Sequence, residues 1–161
     1  MAKLKLLIDD FDEPEFSIFA IHSVLEDYRL AFFLNKNLKI SLIRSDNFEL
    51  KTKNGAVVFR TFSFDDDFKD QKWTLVQNKN EITIANKNDE NNLFFNEKIE
   101  TEIKILLLPE YKSVDFFLKI EHAESSFDSS EIIENMSQIY NLSSVYEIES
   151  QNIKTKNNLI F

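Results

Sequence analysis

The sequence predicts an α+β fold: a mainly antiparallel sheet with one long N-terminal helix and one shorter C-terminal helix. Three observations carry that expectation. Apolar residues recur with helical period from Ile18 to Phe32, alternate with polar ones over most of residues 38–120, and return to helical period from Ile132 to Tyr140. A chain of 161 residues suits one domain, 1–161, because at this length folding removes about 70% of the unfolded surface from water. No internal repeat and no Pro-, Gly- or Ser-rich linker divides it.

The elements follow in order. Leu4, Leu6 and Ile8 alternate with Lys3, Lys5 and Leu7 as a short first strand. Asp12, Glu13, Pro14 and Glu15 then suit the first turn of a helix, where acidic groups meet the positive end of the dipole. From there Ile18, Ile21, Val24, Leu25, Tyr28, Ala31 and Phe32 form a helical stripe, with His22, Glu26 and Arg29 opposite and Asn35-Lys36-Asn37 as the end. Leu38, Ile40 and Leu42 read as a strand, and Asn54-Gly55 between two apolar runs is a strong hairpin signal. A second hairpin is expected at Trp73–Val76 and Ile82–Ile84 around the polar turn Asn78-Lys79-Asn80, followed by a loop at residues 86–92. Residues 102–108 end in a continuously apolar run that Pro109 stops, so the turn at residues 109–113 should join this strand to an antiparallel neighbour containing Val114, Phe116, Leu118 and Ile120. Asp128 and Glu131 have capping-box spacing ahead of the stripe Ile132, Ile133, Met136, Ile139 and Tyr140, and Tyr146 with Ile148 opens a last strand.

Composition removes many functions. Without Cys there is no disulfide, thiolate nucleophile or Cys-based metal site, which fits a reduced, cytoplasmic protein. With Gly55 as the only glycine, neither a Walker loop nor a dinucleotide fingerprint can form, since both need backbone N–H groups unobstructed by Cβ. The 28 acidic against 19 scattered basic residues oppose nucleic-acid binding, and neither a membrane-spanning run nor a signal peptide is present. No cofactor or metal is expected. His22 and His122 have no ligand-type neighbour at metal spacing, and Asp65-Asp66-Asp67 lacks the Gly and terminal Glu of a calcium loop, so it reads as a solvated turn. Phe59, Phe62, Phe64, Phe68 and Trp73 read as core, with an apolar groove as the alternative.

Leu108-Pro109-Glu110-Tyr111-Lys112-Ser113-Val114-Asp115-Phe116 resembles the signature of the IPExxxVDY family, a set of small bacterial proteins named for this motif. Pro109, Glu110, Val114 and Asp115 are identical to it, whereas Leu108 and Phe116 stand where the family has Ile and Tyr. The stretch Tyr28 to Asn35 is also similar to the family's N-terminal half, so the resemblance spans the chain; it implies no activity. Phe116 puts in doubt any mechanism that needs the family's Tyr hydroxyl. Read from the residues, Glu110 and Asp115 either accept turn N–H bonds or pair with Lys112 or a basic side chain of the first helix, or act as acid and base with His22 or His122.

The leading functional expectation is a non-catalytic protein-binding or adaptor module. Phe19, Leu30 and Phe33 lie on the polar side of the first helix as a possible partner surface, to be covered by residues 159–161, a second copy of the chain or another protein. The alternatives are a small hydrolase or lyase built on Glu110 and Asp115, and a carrier of an apolar ligand with a cavity of about 300 Å³ or more.

Overall fold

The computed structural model describes residues 16–85, 100–122 and 127–161. The expected first strand, the helix start at Asp12 and the loop at residues 86–92 lie outside them. Residues Phe16–Ser23 form strand β1 rather than helix, and helix α1 follows at Asp27–Leu38. Ile18, Phe19, Ala20 and Ile21 are all buried, so both faces of β1 are covered. An apolar run buried on both sides has no alternation to distinguish it from a helix, and pairing along both edges decided the outcome. The long N-terminal helix is therefore corrected to a central strand and a twelve-residue helix.

The remaining elements are β2 (Ile43–Arg44), β3 (Phe48–Thr52), β4 (Gly55–Phe59), β5 (Thr61–Asp66), β6 (Gln71–Gln77), β7 (Lys79–Ala85), β8 (Glu100–Leu106), β9 (Phe116–His122), α2 (Ser129–Ser137) and β10 (Leu142–Ile148). Two 3₁₀ turns follow, Ser150–Asn152 and Lys156–Leu159. Among the described residues the main sheet is antiparallel, in the order β10-β1-β9-β6-β5-β2, with β3-β4 and β7-β8 as separate two-stranded sheets. The Asn54-Gly55 hairpin forms as expected, Thr52 facing Gly55, whose φ of 120° favours a residue without Cβ. The second expected hairpin does not form. Strand β6 stays in the main sheet beside β9 and β5 while β7 leaves it to pair with β8, so residues 109–113 connect two sheets instead of two neighbouring strands.

Each face of the main sheet carries its own core. On one side Phe19, Ile21, Trp73 and Leu118 meet Leu30 and Leu34 of α1 and Met136 of α2. On the other, Ile18, Ala20 and Phe117 meet Val57 and Phe59 of the first hairpin, together with Leu107, Leu108 and Val114. Burying one large aliphatic or aromatic side chain contributes about 1.5–3 kcal/mol, so full occupation of both faces adds to the strand preference of the Phe and Ile residues of β1.

Local devices set the helix ends. Asp128 Oδ1 accepts the N–H groups of Ser130 and Glu131 at 3.0 and 3.4 Å, the expected cap of α2. Helix α1 runs through Asn35-Lys36-Asn37 and ends at Lys39, in the left-handed conformation. The Asn35 amide instead pins the following loop, its Oδ1 accepting from Leu42 N at 2.7 Å and its Nδ2 donating to Leu42 O at 3.0 Å. The segment after β10 folds back over the hairpin side of the sheet, opposite the helices. Ile153 and Leu159 are buried there, and the buried Lys119 ammonium donates to Leu159 O at 2.8 Å between the rings of Phe16 and Phe161. None of the helices among the described residues is long and apolar enough to cross a membrane.

Candidate functional site

The segment 108–116 is organised around Asn78, a fully buried residue where the chain passes from β6 to β7. Its Oδ1 accepts from Leu108 N at 3.0 Å, and its Nδ2 donates to Tyr111 O and Val114 O, both at 2.9 Å. Its backbone N–H donates to Asp115 O at 2.9 Å, and its carbonyl accepts from Leu107 N at 2.8 Å. One side chain thus satisfies loop groups that the surrounding core would otherwise leave without partners. The apolar residues of the segment divide between the two cores: Leu108 and Val114 point to the hairpin side and Phe116 to the helix side. Pro109 is exposed at the turn.

Asp115 ties this loop to the end of β1. Its N–H donates to Ile21 O at 3.1 Å, its Oδ2 accepts from Ser23 N at 2.9 Å, and its Oδ1 lies 3.3 Å from Lys79 Nζ. The carboxylate therefore closes the β1–β9 ladder where β1 bends toward α1, and its cation is Lys79, neither Lys112 nor a base on the helix.

Glu110 holds a different segment. Its Oε1 accepts from Lys154 N at 2.9 Å, Thr155 N at 3.0 Å and Thr155 Oγ1 at 3.0 Å, while Oε2 lies 2.9 Å from the same hydroxyl. Burial pushes the carboxyl up, but hydrogen bonds from its own backbone N–H and from Thr155 and Lys154 outweigh burial and hold it below the ordinary glutamate value. Burial first, and then the negative charge of Glu110 and the nearby Tyr146, raise the neighbouring Tyr111 phenol.

The histidines do not converge on these carboxylates. His22 is at the Asp115 end of β1, with Nε2 3.3 Å from Tyr146 Oη. His122 is at the far end of β9 and on the opposite face, with Nε2 3.1 Å from Ser17 Oγ and its ring stacked on Phe127 at 4.6 Å. Ile21 faces Phe116 and Phe16 faces Glu121, so the two imidazoles are separated by roughly 20 Å of strand. A cavity of about 560 Å³ is lined by His122 and Trp73 but by neither Glu110 nor Asp115. Glu110, bound by several donors and held more acidic than usual, is poorly suited to give or take a proton at neutral pH.

The expected partner surface is also corrected. Phe19 and Leu30 are completely buried, and Phe33 is half-buried against the helix-side core. With α1 starting at Asp27, its inward stripe is Leu30, Ala31 and Leu34. The outward side carries Tyr28 and Phe32, 59% and 63% exposed; Val24, in the connection between β1 and α1, is 87% exposed. The Phe32 ring packs edge-on against Phe33 at 5.5 Å.

Sequence reasoning missed Asn78, Ser23, Lys79 and Thr155 as partners of the motif. Each sits in a polar stretch or at an element end, and no spacing rule links it to residues 108–116. Asp66 behaves as a turn residue, its Oδ1 accepting from Phe68 N and Lys69 N at 3.2 Å. Among the described residues, no group of three or more His, Asp or Glu side chains is arranged to hold a metal ion. No family model, no curated protein and no solved structure matches the chain.

Proposed function

We propose that the chain is a non-catalytic protein-binding module of the IPExxxVDY type, in which residues 108–116 are a structural joint and the outward side of α1 is the binding face. The observation that carries this reading is the exposed pair Tyr28 and Phe32 on the outward side of α1. Two large side chains four residues apart on one side of α1, one of them braced by Phe33, are exposed apolar surface of the kind that marks a partner site. The joint supports the same reading, because Glu110 and Asp115 have their oxygens engaged by Thr155, Lys154, Ser23 and Lys79.

The experiment compares proteins captured from the native lysate by the parent chain, by a Tyr28→Ser/Phe32→Ser variant and by a Phe68→Ser control. Phe68, expected from the sequence to be core, is instead fully exposed at the turn between β5 and β6, away from α1's outward side. A partner retained by the parent and control but lost by the double variant, with the melting temperature of all three unchanged, is the expected result. Equal capture by all three refutes the α1 face as the binding surface.

A further inference from the structure

Among the described residues β10 is an outer strand of the main sheet, and its free edge is unprotected. Open edges in natural sheets are kept short, charged with Lys or interrupted, because a bare row of backbone groups pairs with other chains. At the opposite end of the sheet β2 has only two residues. In the two small sheets β3, β7 and β8 carry Lys51, Lys79 and Lys104, and Val58 O of β4 accepts from Asn80 Nδ2. Strand β10 has seven residues with neither Lys, Arg nor Pro, and its Ser143, Ser144, Tyr146 and Glu147 are exposed.

The register fixes which backbone groups this edge offers. Ile21 O accepts from Asp115 N, so Ile21 turns its backbone groups toward β9. Successive residues of an antiparallel strand face opposite neighbours, so Ala20 and His22 turn toward β10 and bond their partners Tyr146 and Ser144. Val145 and Glu147 therefore direct their N–H and C=O groups away from β1, where no strand among the described residues meets them.

The surroundings set the charge of a partner. Between Lys119 and Lys154 the sequence has seven carboxylates and no Lys or Arg. That stretch forms α2 and β10, which pack against each other, with Glu131, Glu134, Glu147 and Glu149 exposed. A second copy of the chain brings the same carboxylates and a net charge of −9, so it is repelled, whereas an extended segment rich in Lys or Arg is attracted.

We propose that β10 binds an extended, basic segment of another protein by strand addition. The segment's backbone pairs with Val145 and Glu147, and a Lys or Arg stands opposite Glu147. This edge goes beyond the α1 face and uses neither Tyr28 nor Phe32, so either surface can fail without the other.

The probe is the amidated peptide Lys-Val-Lys-Thr-Val-Thr-Lys with tetramethylrhodamine at its N-terminus, titrated with the full chain and read by fluorescence anisotropy. Laid antiparallel, its third and fifth residues face Glu147 and Val145. The expected result is saturable binding that is lost when Glu replaces each Lys of the peptide. N-methylation of the third and fifth residues removes the two donors that face β10 and weakens binding about tenfold; N-methylation of the fourth and sixth, whose N–H groups face away, leaves it unchanged. In the free chain the Val145 and Glu147 amides exchange rapidly with solvent, and saturating peptide slows both, while Tyr146 is slow throughout. Glu147→Pro removes an outward N–H that bonds nothing in the sheet, so the strand is kept, and weakens binding about tenfold. The N-methyl comparison uses the parent chain and stands whether or not that variant folds. No saturable binding, equal weakening by both N-methylation patterns, equal affinity for the Glu peptide, or slow Val145 and Glu147 exchange already in the free chain overturns the proposal.

Discussion

Replacing Asn78 by Ala tests whether one buried amide holds the 108–116 joint together. The substitution leaves the backbone bonds of residue 78 to Asp115 and Leu107 in place and deletes the three side-chain bonds. Tyr111 O keeps a partner, because it also accepts from Val114 N at 3.2 Å. Leu108 N–H and Val114 O lose the acceptor and the donor that the amide provided, inside a core that contains the fully buried Leu108 and Val114 side chains. Stranding a buried polar group costs about 1–3 kcal/mol, so the two together give about 2–6 kcal/mol, and partial relaxation places the net loss near 3 kcal/mol. For a domain of this size, 1 kcal/mol corresponds to about 2–4 °C, so the melting temperature should fall by about 6–12 °C. Urea unfolding should show a lower midpoint with an unchanged slope, which separates a stability change from a change in compactness. Gln77→Ala, at the adjacent exposed position, should stay within about 0.5 kcal/mol of the parent. An Asn78→Ala protein melting within about 2 °C of the parent would show that the joint finds other partners, and would refute the amide's role.

Two further outcomes follow from the motif carboxylates. Asp115→Asn keeps an acceptor for Ser23 N and loses only a partly exposed, solvent-screened pair with Lys79, so it should cost less than about 1 kcal/mol; Asp115→Ala leaves that N–H without its acceptor and should cost about 1–3 kcal/mol. Equal urea midpoints for the two variants would contradict this division. Glu110 has a folded-state value below its unfolded one, so its contribution is complete above the ordinary carboxylate range and is lost as pH falls through the lowered folded value. The gap between the urea midpoints of the parent and Glu110→Gln should therefore be widest near neutral pH and should close in acid. A gap independent of pH would show that the ionised carboxylate is not what holds Lys154 and Thr155.

Which side of α1 faces outward depends on where the first apolar run ends as a strand and the helix begins. When Phe19 is placed on a helix, it joins Leu30 and Phe33 in a surplus stripe, and Tyr28 and Phe32 become core. Once residues Phe16–Ser23 are a strand, the assignments exchange: Leu30 turns inward, while Tyr28 and Phe32 turn outward.

The sequence by itself determined what depends on near neighbours. The Asn54-Gly55 hairpin, the Asp128 cap of α2 and the turn at Pro109 were legible because each depends on residues within a few positions of one another, whereas the last strand, expected to open at Tyr146, instead ends at Ile148 because pairing with β1 sets its extent. Only the tertiary structure decided that β1 is a strand, that β6 and β7 belong to different sheets, and that Asn78, Ser23 and Thr155 are partners of Leu108, Asp115 and Glu110. The physical reason is that a run apolar on every side carries no period, and a buried amide is satisfied by whichever backbone groups packing brings to it. Those pairings join residues 30 to 92 positions apart, beyond the reach of any local pattern.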